Sequence, residues 1–509
     1  MFLQSQDALR ESRVTAALGA GTPASIIANT ATLKTMHNVN NTRVWMIFLF
    51  AACSQGVGFH ANADDHRRPN ILLIVSDDQR PDSIAVLGNR VVRTPNLDAL
   101  AAGGSVFTRA ICANPICTPS RGEILTGCNG FNNGVLDFAG RFREGLTPIA
   151  ETLRSSEYRT TYVGKWHNAG RPSQHGYQES RGLFTSGGNK FWKDQVDAHG
   201  RDVTGYRGWI FQSDAGELYP DFGVGLTPNI SERFADAAIE TVSLRSDSPF
   251  FVHVNFTAPH DPLLVPKGYE NAYDPGQIPL PRNFMPEHPF ETGNLGSRDE
   301  VLLPTPRTAK DVRDDIAVYY AVITHMDEQI GRILKALDSS GQRDNTIVIF
   351  TSDHGLAMGS HGLRGKQNMY EHTMNVPMLM SGPSIPTGES FNAQMYLRDL
   401  YPTICELVGV SLPHEIDGRS VVPVLQGKTN EIHDHVFGYF RNFQRMIRGD
   451  RWKLIHYPQI DHWQLFDLEN DPYELSNLSD DPAGTDIKRD LQERLRRWQE
   501  QVGDSLTSQ

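Results

Sequence analysis

Residues 70–78, with the sequence NILLIVSDD, decide the fold class of this 509-residue chain. The run from Asn70 to Ser76 is apolar almost throughout and ends in two carboxylates, Asp77 and Asp78. A continuous apolar run of this length predicts a strand that is buried on both faces. Such strands are typical of a parallel or mixed sheet that is covered by helices on both sides.

Three further runs have the same character, at residues 158–163, 250–256 and 346–351. Polar residues with useful chemistry follow each of them, and in open α/β sheets the functional site lies beyond the carboxyl ends of the strands. Stretches with the helical spacing of apolar residues alternate with the runs, at residues 96–102, 147–154, 231–244 and 311–337. We therefore predict an α/β fold with a large mixed, mostly parallel sheet flanked by helices.

The pattern changes near residue 430. Short strand-like runs broken by turns follow at residues 436–440, 445–448, 452–456 and 464–466, and a charged helical stretch covers residues 485–502, with Thr485 as its predicted N-cap. These features predict a smaller C-terminal antiparallel sheet plus helix. The predicted division is an N-terminal extension with an export signal (1–63), a catalytic domain (64–430) and a small α+β subdomain (431–509).

Two long segments, residues 171–230 and 262–306, are rich in glycine, proline and aromatic residues and show little periodicity. We expect them to be irregular and to form the rim of a pocket. Their aromatic residues would suit stacking on sugar rings, although they could equally belong to the core. Four are candidates: Phe191, Trp192, Trp209 and Tyr219.

The composition bounds the function. Hydrophobic residues make up 39% and charged residues 21%, as in an ordinary globular protein, and the net charge is −12. An acidic chain lacks the basic excess that neutralises phosphates, so we predict no nucleic-acid partner. Five cysteines are too few for a disulfide framework, although a Cys112–Cys128 bridge is an open alternative. The sequence makes no prediction about the oligomeric state.

The N-terminal region predicts export. Arg43 precedes an apolar run at residues 44–52, and small residues at 61–63 provide a cleavage site. The run is too short to span a membrane, so we expect a periplasmic or secreted protein without a membrane span. Met36 is the expected true start of this signal, which makes residues 1–35 an extension. Two alternatives stay open: a disordered tail, and lipid attachment at Cys53.

The central chemical motif is CTPSR at residues 117–121. Pro119 suits the first turn of a helix, which would place Cys117 at the helix N-terminus, where free N–H groups and the helix dipole favour an anion. Arg121 lies one turn further on and can hold an oxygen through its planar guanidinium. The same five residues also suit a buried cysteine in front of an ordinary helix.

Two acidic motifs at strand ends indicate a cation site. Asp77 and Asp78 repel one another unless a cation lies between them, and Asp353-His354 follows another buried strand. Asp353 would supply a further oxygen ligand, and His354 could bind a metal or orient a ligand. The alternative for each motif is a helix cap or a turn.

Four basic side chains complete the candidate site. Lys165 and Lys366 could bind oxygens of an anionic ester, and His167 and His260 could transfer protons. A single histidine beside a strand is more often structural. The joint occurrence of all these motifs, most of them at strand ends, is what favours a functional site.

These motifs together resemble the type I sulfatase family of the alkaline-phosphatase-like superfamily, from about Pro69 to the C-terminus. The Cys-x-Pro-Ser-Arg pattern is similar to the family's tag for oxidising the cysteine to formylglycine. GKWH (164–167), SDHG (352–355), WKLI (452–455) and LFDLENDP (465–472) also resemble family patterns.

The resemblance implies a hydrolase that cleaves sulfate esters, of glycans in our expectation, with a formylglycine hydrate at position 117 as nucleophile. It implies that a divalent cation is held by Asp77, Asp78, Cys117, Asp353 and His354. The sulfate would be surrounded by Arg121, Lys165, His167, His260 and Lys366. A formylglycine-generating enzyme would be the maturation partner. Calcium is the family's usual ion. Because His354 stands where many members have asparagine, Mn²⁺ or Mg²⁺ also stays open.

Two other functions stay open at this point. One is a phosphonate or phosphate ester hydrolase of the same superfamily. The other is a non-catalytic glycan-binding relative in which Cys117 remains a thiol.

Overall fold

The stretch at residues 70–78 forms the centre of a nine-stranded sheet in the computed structural model, which describes residues 68–203 and 205–508. The strands are β1 (Asn70–Ser76), β2 (Ser105–Phe107), β3 (Ala110–Ile111), β4 (Arg159–Lys165), β5 (Glu179–Ser186), β6 (Gln195–Val196), β7 (Asp202–Val203), β8 (Trp209–Phe211), β9 (Phe250–Asn255), β10 (Thr346–Ser352), β11 (Asn375–Val376), β12 (Met378–Ser381), β13 (Glu389–Phe391), β14 (Met395–Tyr396), β15 (Val436–Phe440), β16 (Gln444–Arg448), β17 (Trp452–Tyr457) and β18 (His462–Asp467).

The α-helices are α1 (Pro95–Ala102), α2 (Cys117–Thr126), α3 (Gly130–Asn133), α4 (Ile149–Ser155), α5 (Ile230–Val242), α6 (Ala309–Ser339), α7 (Glu371–Met374), α8 (Leu400–Leu407), α9 (Val422–Leu425) and α10 (Thr485–Val502). Short 3₁₀ helices connect several of these elements. In the part of the chain that the structure describes, no helix has both the length and the apolar character that crossing a bilayer requires.

The large sheet has the strand order β13-β2-β12-β10-β1-β9-β4-β5-β8. Its five central strands, β10 to β5 in this order, run parallel, whereas β12 and β8 pair with them antiparallel. The predicted mixed, mostly parallel sheet is therefore confirmed. The four predicted buried strands correspond to β1, β4, β9 and β10.

Alternation along β1 explains why the whole run is apolar. Ile71 and Leu73 point into a core that contains residues of α4 and α8, and Leu72 and Ile74 point into the opposite core, which contains residues of α1, α5 and α6. Both faces of the strand are thus covered by helices, as the sequence predicts.

The C-terminal region contains the predicted antiparallel sheet, in the order β15-β16-β17-β18, and Leu491 and Leu495 of α10 pack against it. The predicted N-cap is wrong by one residue: Gly484 holds that position, and Thr485 is the first residue of the helix. The proposed boundary at residue 430 stays a prediction.

Two further expectations need correction. The segment at 171–230 is not wholly irregular, because β5 and β8 extend the large sheet by pairing beside β4. Cys112 and Cys128 form no bridge and, like Cys117 and Cys405, are free thiols among the described residues. The predicted export signal and Cys53 lie outside the described residues.

Candidate active site

The site lies at the carboxyl edge of four adjacent parallel strands. Asp77 and Asp78 follow β1, and Asp353 and His354 follow its neighbour β10. Lys165 is the last residue of β4. The topology alone brings these residues to one edge, because the carboxyl ends of parallel strands meet there.

Cys117 is the first residue of α2, and its side chain is buried. Its Sγ lies 3.6 Å from Asp77 Oδ1, 3.4 Å from His354 Nε2 and 3.4 Å from Lys366 Nζ. Burial raises the pKa of the thiol, but the ammonium groups of Lys165 and Lys366 outweigh burial and hold the pKa well below its usual value. The N-terminus of α2 and two lysines thus favour negative charge at this position.

Each of the three buried carboxylates is paired with one basic side chain. Asp77 Oδ2 pairs with Lys165 Nζ, Asp78 Oδ1 lies 2.8 Å from Lys366 Nζ, and Asp353 Oδ2 lies 3.0 Å from Arg121 Nη2. The six side chains are at most 4% exposed. Among these six side chains, three negative charges are therefore paired with three positive charges.

Burial and the closeness of the carboxylates to one another shift their pKa values. Burial, followed by the charge of Asp77, raises the pKa of Asp353 to about 7. Burial also raises the pKa of Asp77, but the Lys165 ammonium lowers it well below the usual range. A cation between these groups would relieve the repulsion between the two carboxylates.

A divalent cation fits the residues that are present. Asp77, Asp78, Cys117 and His354 each offer a ligand atom, and these atoms all lie within 4.8 Å of one another. Asp78 Oδ2 is buried and has no hydrogen-bond partner among the described residues. Oxygen ligands beside an imidazole suit hard to intermediate divalent ions. Asp353 is not part of this set, and its Oδ2 pairs with Arg121, so its predicted role as a ligand stays a prediction.

His260 lies beside Oδ2 of Asp78, whereas Lys366 lies beside Oδ1. Its Nε2 is 3.7 Å from Asp78 Oδ2, and its Nδ1 is 3.2 Å from Asp261 Oδ1. Burial lowers the pKa of His260, whereas the charge of Asp78 raises it, and the net shift is upward. Asp261 in turn binds Arg298 through both of its carboxylate oxygens, at 3.0 and 2.7 Å, which fixes its orientation.

His167 is half-buried and marks the open side of the site. Its ring packs edge-on against Trp209, with the centroids 4.9 Å apart, and lies 5.7 Å from the ring of Phe138, which is 44% exposed. Burial lowers the pKa of His167 to about 4, against a hydrogen bond with Cys117 that acts in the opposite direction. Its Nδ1 has no hydrogen-bond partner within the described part of the chain.

The structure brings together the ten polar and cysteine residues that the sequence assigned to the site and adds others that it did not. Of the four aromatic candidates, Trp209 packs against His167, whereas Tyr219 packs against Phe222. Tyr206 donates a hydrogen bond to Asp77 Oδ2 at 2.7 Å, and Arg121 donates one to Asn255 Oδ1. Asn255 lies one residue before the end of the predicted strand 250–256 and is the last residue of β9, so a polar residue near a predicted strand end was an available signal. Tyr206 lies in a segment without periodicity, and its sequence context gives no such signal.

A residue of the segment 262–306 holds the loop that carries Lys366. The carboxylate of Glu300 accepts hydrogen bonds from the backbone N–H groups of Arg364 and Gly365, both at 2.8 Å, and pairs with Arg307. A buried carboxylate that accepts two backbone hydrogen bonds fixes the loop. Glu300 thereby positions Lys366 beside Cys117.

A buried cysteine at a helix N-terminus, with buried carboxylates and basic groups at the carboxyl edge of this sheet, suits an ester hydrolase, and the fold is alkaline-phosphatase-like. The family model described as Sulfatase matches residues 69–410, and the model described as N-sulphoglucosamine sulphohydrolase, C-terminal, matches residues 359–501. The chain belongs to the sulfatase family and is a sulfuric ester hydrolase.

Two sulfatase relatives agree with this assignment, and a phosphonate monoester hydrolase shares the fold. An arylsulfatase of Clostridium perfringens is 30% identical over 443 residues, which cover 81% of this chain and 90% of the relative. An N-acetylglucosamine-6-O-sulfatase of Bacteroides thetaiotaomicron is 26% identical and covers 90% of this chain and 91% of its own length. The crystal structure of a phosphonate monoester hydrolase of Agrobacterium radiobacter superposes with a TM-score of 0.72 at 25% identity, over 86% of this chain and 96% of that chain.

Proposed function

We propose that this protein hydrolyses sulfate esters of glycans with a formylglycine hydrate at position 117 as nucleophile. The observation that carries the proposal is the setting of Cys117, whose sulfur meets Lys366, His354 and Asp77 at the start of α2. In this reasoning the sulfur stands for a hydroxyl oxygen of the modified residue. A hydrate supplies one hydroxyl that attacks the sulfur atom of the sulfate ester, and a second hydroxyl whose deprotonation releases sulfate and restores the aldehyde.

The proposed cation would be held by Asp77, Asp78, His354 and residue 117, with Asp353 as a further ligand. Calcium is the expected ion, with Mn²⁺ or Mg²⁺ as alternatives. When bound, a divalent ion supplies Lewis-acid stabilisation of negative charge on the reacting oxygens.

The basic side chains have separate proposed roles. Arg121 and Lys165 stabilise the sulfate oxygens, because both are fixed by buried partners and need no reorganisation during the reaction. His260 or Lys366 protonates the departing alcohol. His167 accepts the proton of the second hydroxyl, since its ring reaches residue 117 from the open side of the site.

The substrate class and the cellular context are part of the proposal. The exposed ring of Phe138 and the half-buried Trp209 flank His167 and would suit a sugar ring at the mouth of the site. The similarity to the N-acetylglucosamine-6-O-sulfatase supports a sulfated glycan. We further propose maturation by a formylglycine-generating enzyme and a periplasmic or secreted location, with residues 64–430 as the catalytic domain.

A phosphonate or phosphate ester hydrolase is the second candidate. The structural similarity to the phosphonate monoester hydrolase favours it, because the two chains share their fold over most of their length. Parallel assays with an aryl sulfate, an aryl phosphate monoester and a phosphonate monoester separate the candidates. A kcat/KM that is highest for the sulfate supports our proposal, and a preference for the phosphonate contradicts it.

Peptide mass analysis tests the nucleophile. Trypsin releases residues 110–121 as one peptide, which contains both Cys112 and Cys117. Conversion of Cys117 to the aldehyde lowers the peptide mass by about 18 Da, and after denaturation only Cys112 then remains to be alkylated. Two alkylated cysteines in active protein would contradict the proposal, and in inactive protein they would favour the non-catalytic relative. Cys117→Ser should lose multiple turnover, since serine offers only one hydroxyl.

A further inference from the structure

Tyr206 reaches the centre of the site from the segment 171–230. Its hydroxyl donates to Asp77 Oδ2 at 2.7 Å. Its ring lies 5.4 Å from Lys165 Nζ and meets the ring of His260 edge-on, with the centroids 4.9 Å apart. One side chain outside the sequence motifs thus contacts three residues of the proposed machinery.

The backbone around Tyr206 is held in place. Tyr206 adopts a φ of 62°, in the left-handed region that costs a non-glycine residue energy. A Cβ on the preceding Gly205 would lie 2.3 Å from Arg298 Nη1, so a larger residue there would displace this guanidinium from its place beside Asp261. Strain of this kind persists where the surroundings determine it, and it is concentrated at functional sites.

The two oxygens of Asp77 have different surroundings. Oδ2 accepts the hydrogen bond from Tyr206 and pairs with Lys165. Oδ1 faces the other way, 3.6 Å from the sulfur of Cys117 and 3.6 Å from Arg121 Nη2. Rotation of the carboxylate would exchange these surroundings. Lys165 by itself would not prevent the rotation, because its ammonium group is a point charge on a flexible chain and can follow the oxygen.

We infer that Tyr206 is a positioning residue, whose hydroxyl fixes the rotation of Asp77 and keeps Oδ1 directed at the cation pocket and residue 117. This inference rests on the proposed function, since it takes Asp77 to be a cation ligand. Hydrogen bonds to ligating carboxylates orient the ligand, and their loss typically costs 10- to 100-fold in metal affinity or activity.

Tyr206→Phe tests the inference because it removes one oxygen and keeps the ring. The matched control is Tyr158→Phe: Tyr158 is also buried and donates a hydrogen bond from its hydroxyl to the carbonyl of Pro69 at 2.9 Å, at the opposite end of β4 from Lys165. Wild type and both variants are stripped of metal, and Ca²⁺ binding is measured by titration calorimetry and by the rise in melting temperature. Steady-state kinetics with an aryl sulfate at saturating Ca²⁺ give kcat and KM separately.

For Tyr206→Phe we expect Ca²⁺ affinity to fall about 10- to 100-fold and kcat to fall by a similar factor, with KM within about threefold of wild type. Tyr158→Phe should lower the melting temperature of the metal-free protein and leave Ca²⁺ affinity and kcat unchanged. If Tyr206→Phe also lowers only the melting temperature, Tyr206 is structural and the inference is overturned.

A wild-type protein that binds Ca²⁺ and cleaves the sulfate, beside an unaffected Tyr206→Phe variant, overturns the inference and leaves the proposed function standing. A wild-type protein that binds no divalent cation overturns both. Because each variant is compared with its own metal-free form, a general loss of stability cannot imitate the expected result.

Discussion

Replacing Lys366 by methionine tests the charge balance of the site. The lysine is 1% exposed, and its Nζ lies 2.8 Å from Asp78 Oδ1 and 3.4 Å from Cys117 Sγ. Methionine has a similar length and carries no charge. In the variant, the charge partners that remain for Asp78 among the described residues are the imidazoles of His354 and His260, at 3.1 and 3.7 Å.

The expected loss in the free energy of unfolding follows from the burial of this ion pair. Removing one partner of a buried ion pair costs about 3–5 kcal/mol, because an uncompensated charge remains in the interior. We expect that loss in the free energy of unfolding of metal-free Lys366→Met. Saturating Ca²⁺ should recover much of it, since a cation at Asp78 replaces the missing ammonium. Turnover should stay about 10²- to 10³-fold below wild type even with Ca²⁺, because a preorganised cation at the reacting oxygens is gone.

Urea unfolding with and without Ca²⁺ measures the stability, and hydrolysis of an aryl sulfate measures kcat. Lys310→Met is the matched control: this lysine pairs with Asp314 but is 81% exposed, so its removal should change neither quantity appreciably. The reasoning is refuted if metal-free Lys366→Met is as stable as wild type, or if its turnover stays within about threefold of wild type.

Three further predictions concern the cation, the rim and pH. EDTA should lower both the melting temperature and the turnover, and Ca²⁺ should restore them, because the carboxylates of Asp77 and Asp78 are crowded without a cation; full turnover after chelation would contradict this. Phe138→Ala should raise KM for a glycan sulfate about 2- to 10-fold at nearly constant kcat, whereas Phe222→Ala, an exposed ring that packs on Tyr219, should not. Burial lowers the pKa of His361 to about 3 and of His288 to about 4, so the unfolded chain takes up protons first and stability is lost as pH falls below about 6.5. His361→Gln should reduce that slope in urea unfolding at pH 7.5 and 5, and an unchanged slope would show that other groups cause the acid sensitivity.

The parts of the fold that the sequence predicts well are those buried on both faces. The runs that form β1, β9 and β10 stand out because no solvent-facing position interrupts them. The edge strand β5 escapes prediction because its burial is mixed and its residues, ESRGLFTS, follow no single period.

The same contrast holds within the site. Residues that follow buried strands inherit their position from the sheet, so Asp77, Asp353 and Lys165 are predictable from sequence order. Cys117 is recognisable only from the CTPSR motif in which it lies. Periodicity gives no signal there, because α2 is buried on all sides. Tyr206 and Glu300 reach the site from long connections, where tertiary contacts and not local periodicity determine the path of the chain.

The pairing of charges explains how an acidic protein can bind an anionic ester. Asp77, Asp78 and Asp353 each neutralise one basic side chain, so the described residues alone offer little net positive charge to a sulfate. In our proposal a divalent cation at Asp77 and Asp78 would change this balance, since it would add two positive charges and leave Lys165, Lys366 and Arg121 free to interact with sulfate oxygens. Within a site that water hardly reaches, these fixed charges act at low dielectric. The net charge of −12 is therefore compatible with sulfate binding, which in our proposal depends on the local basic side chains and on a cation held at Asp77 and Asp78.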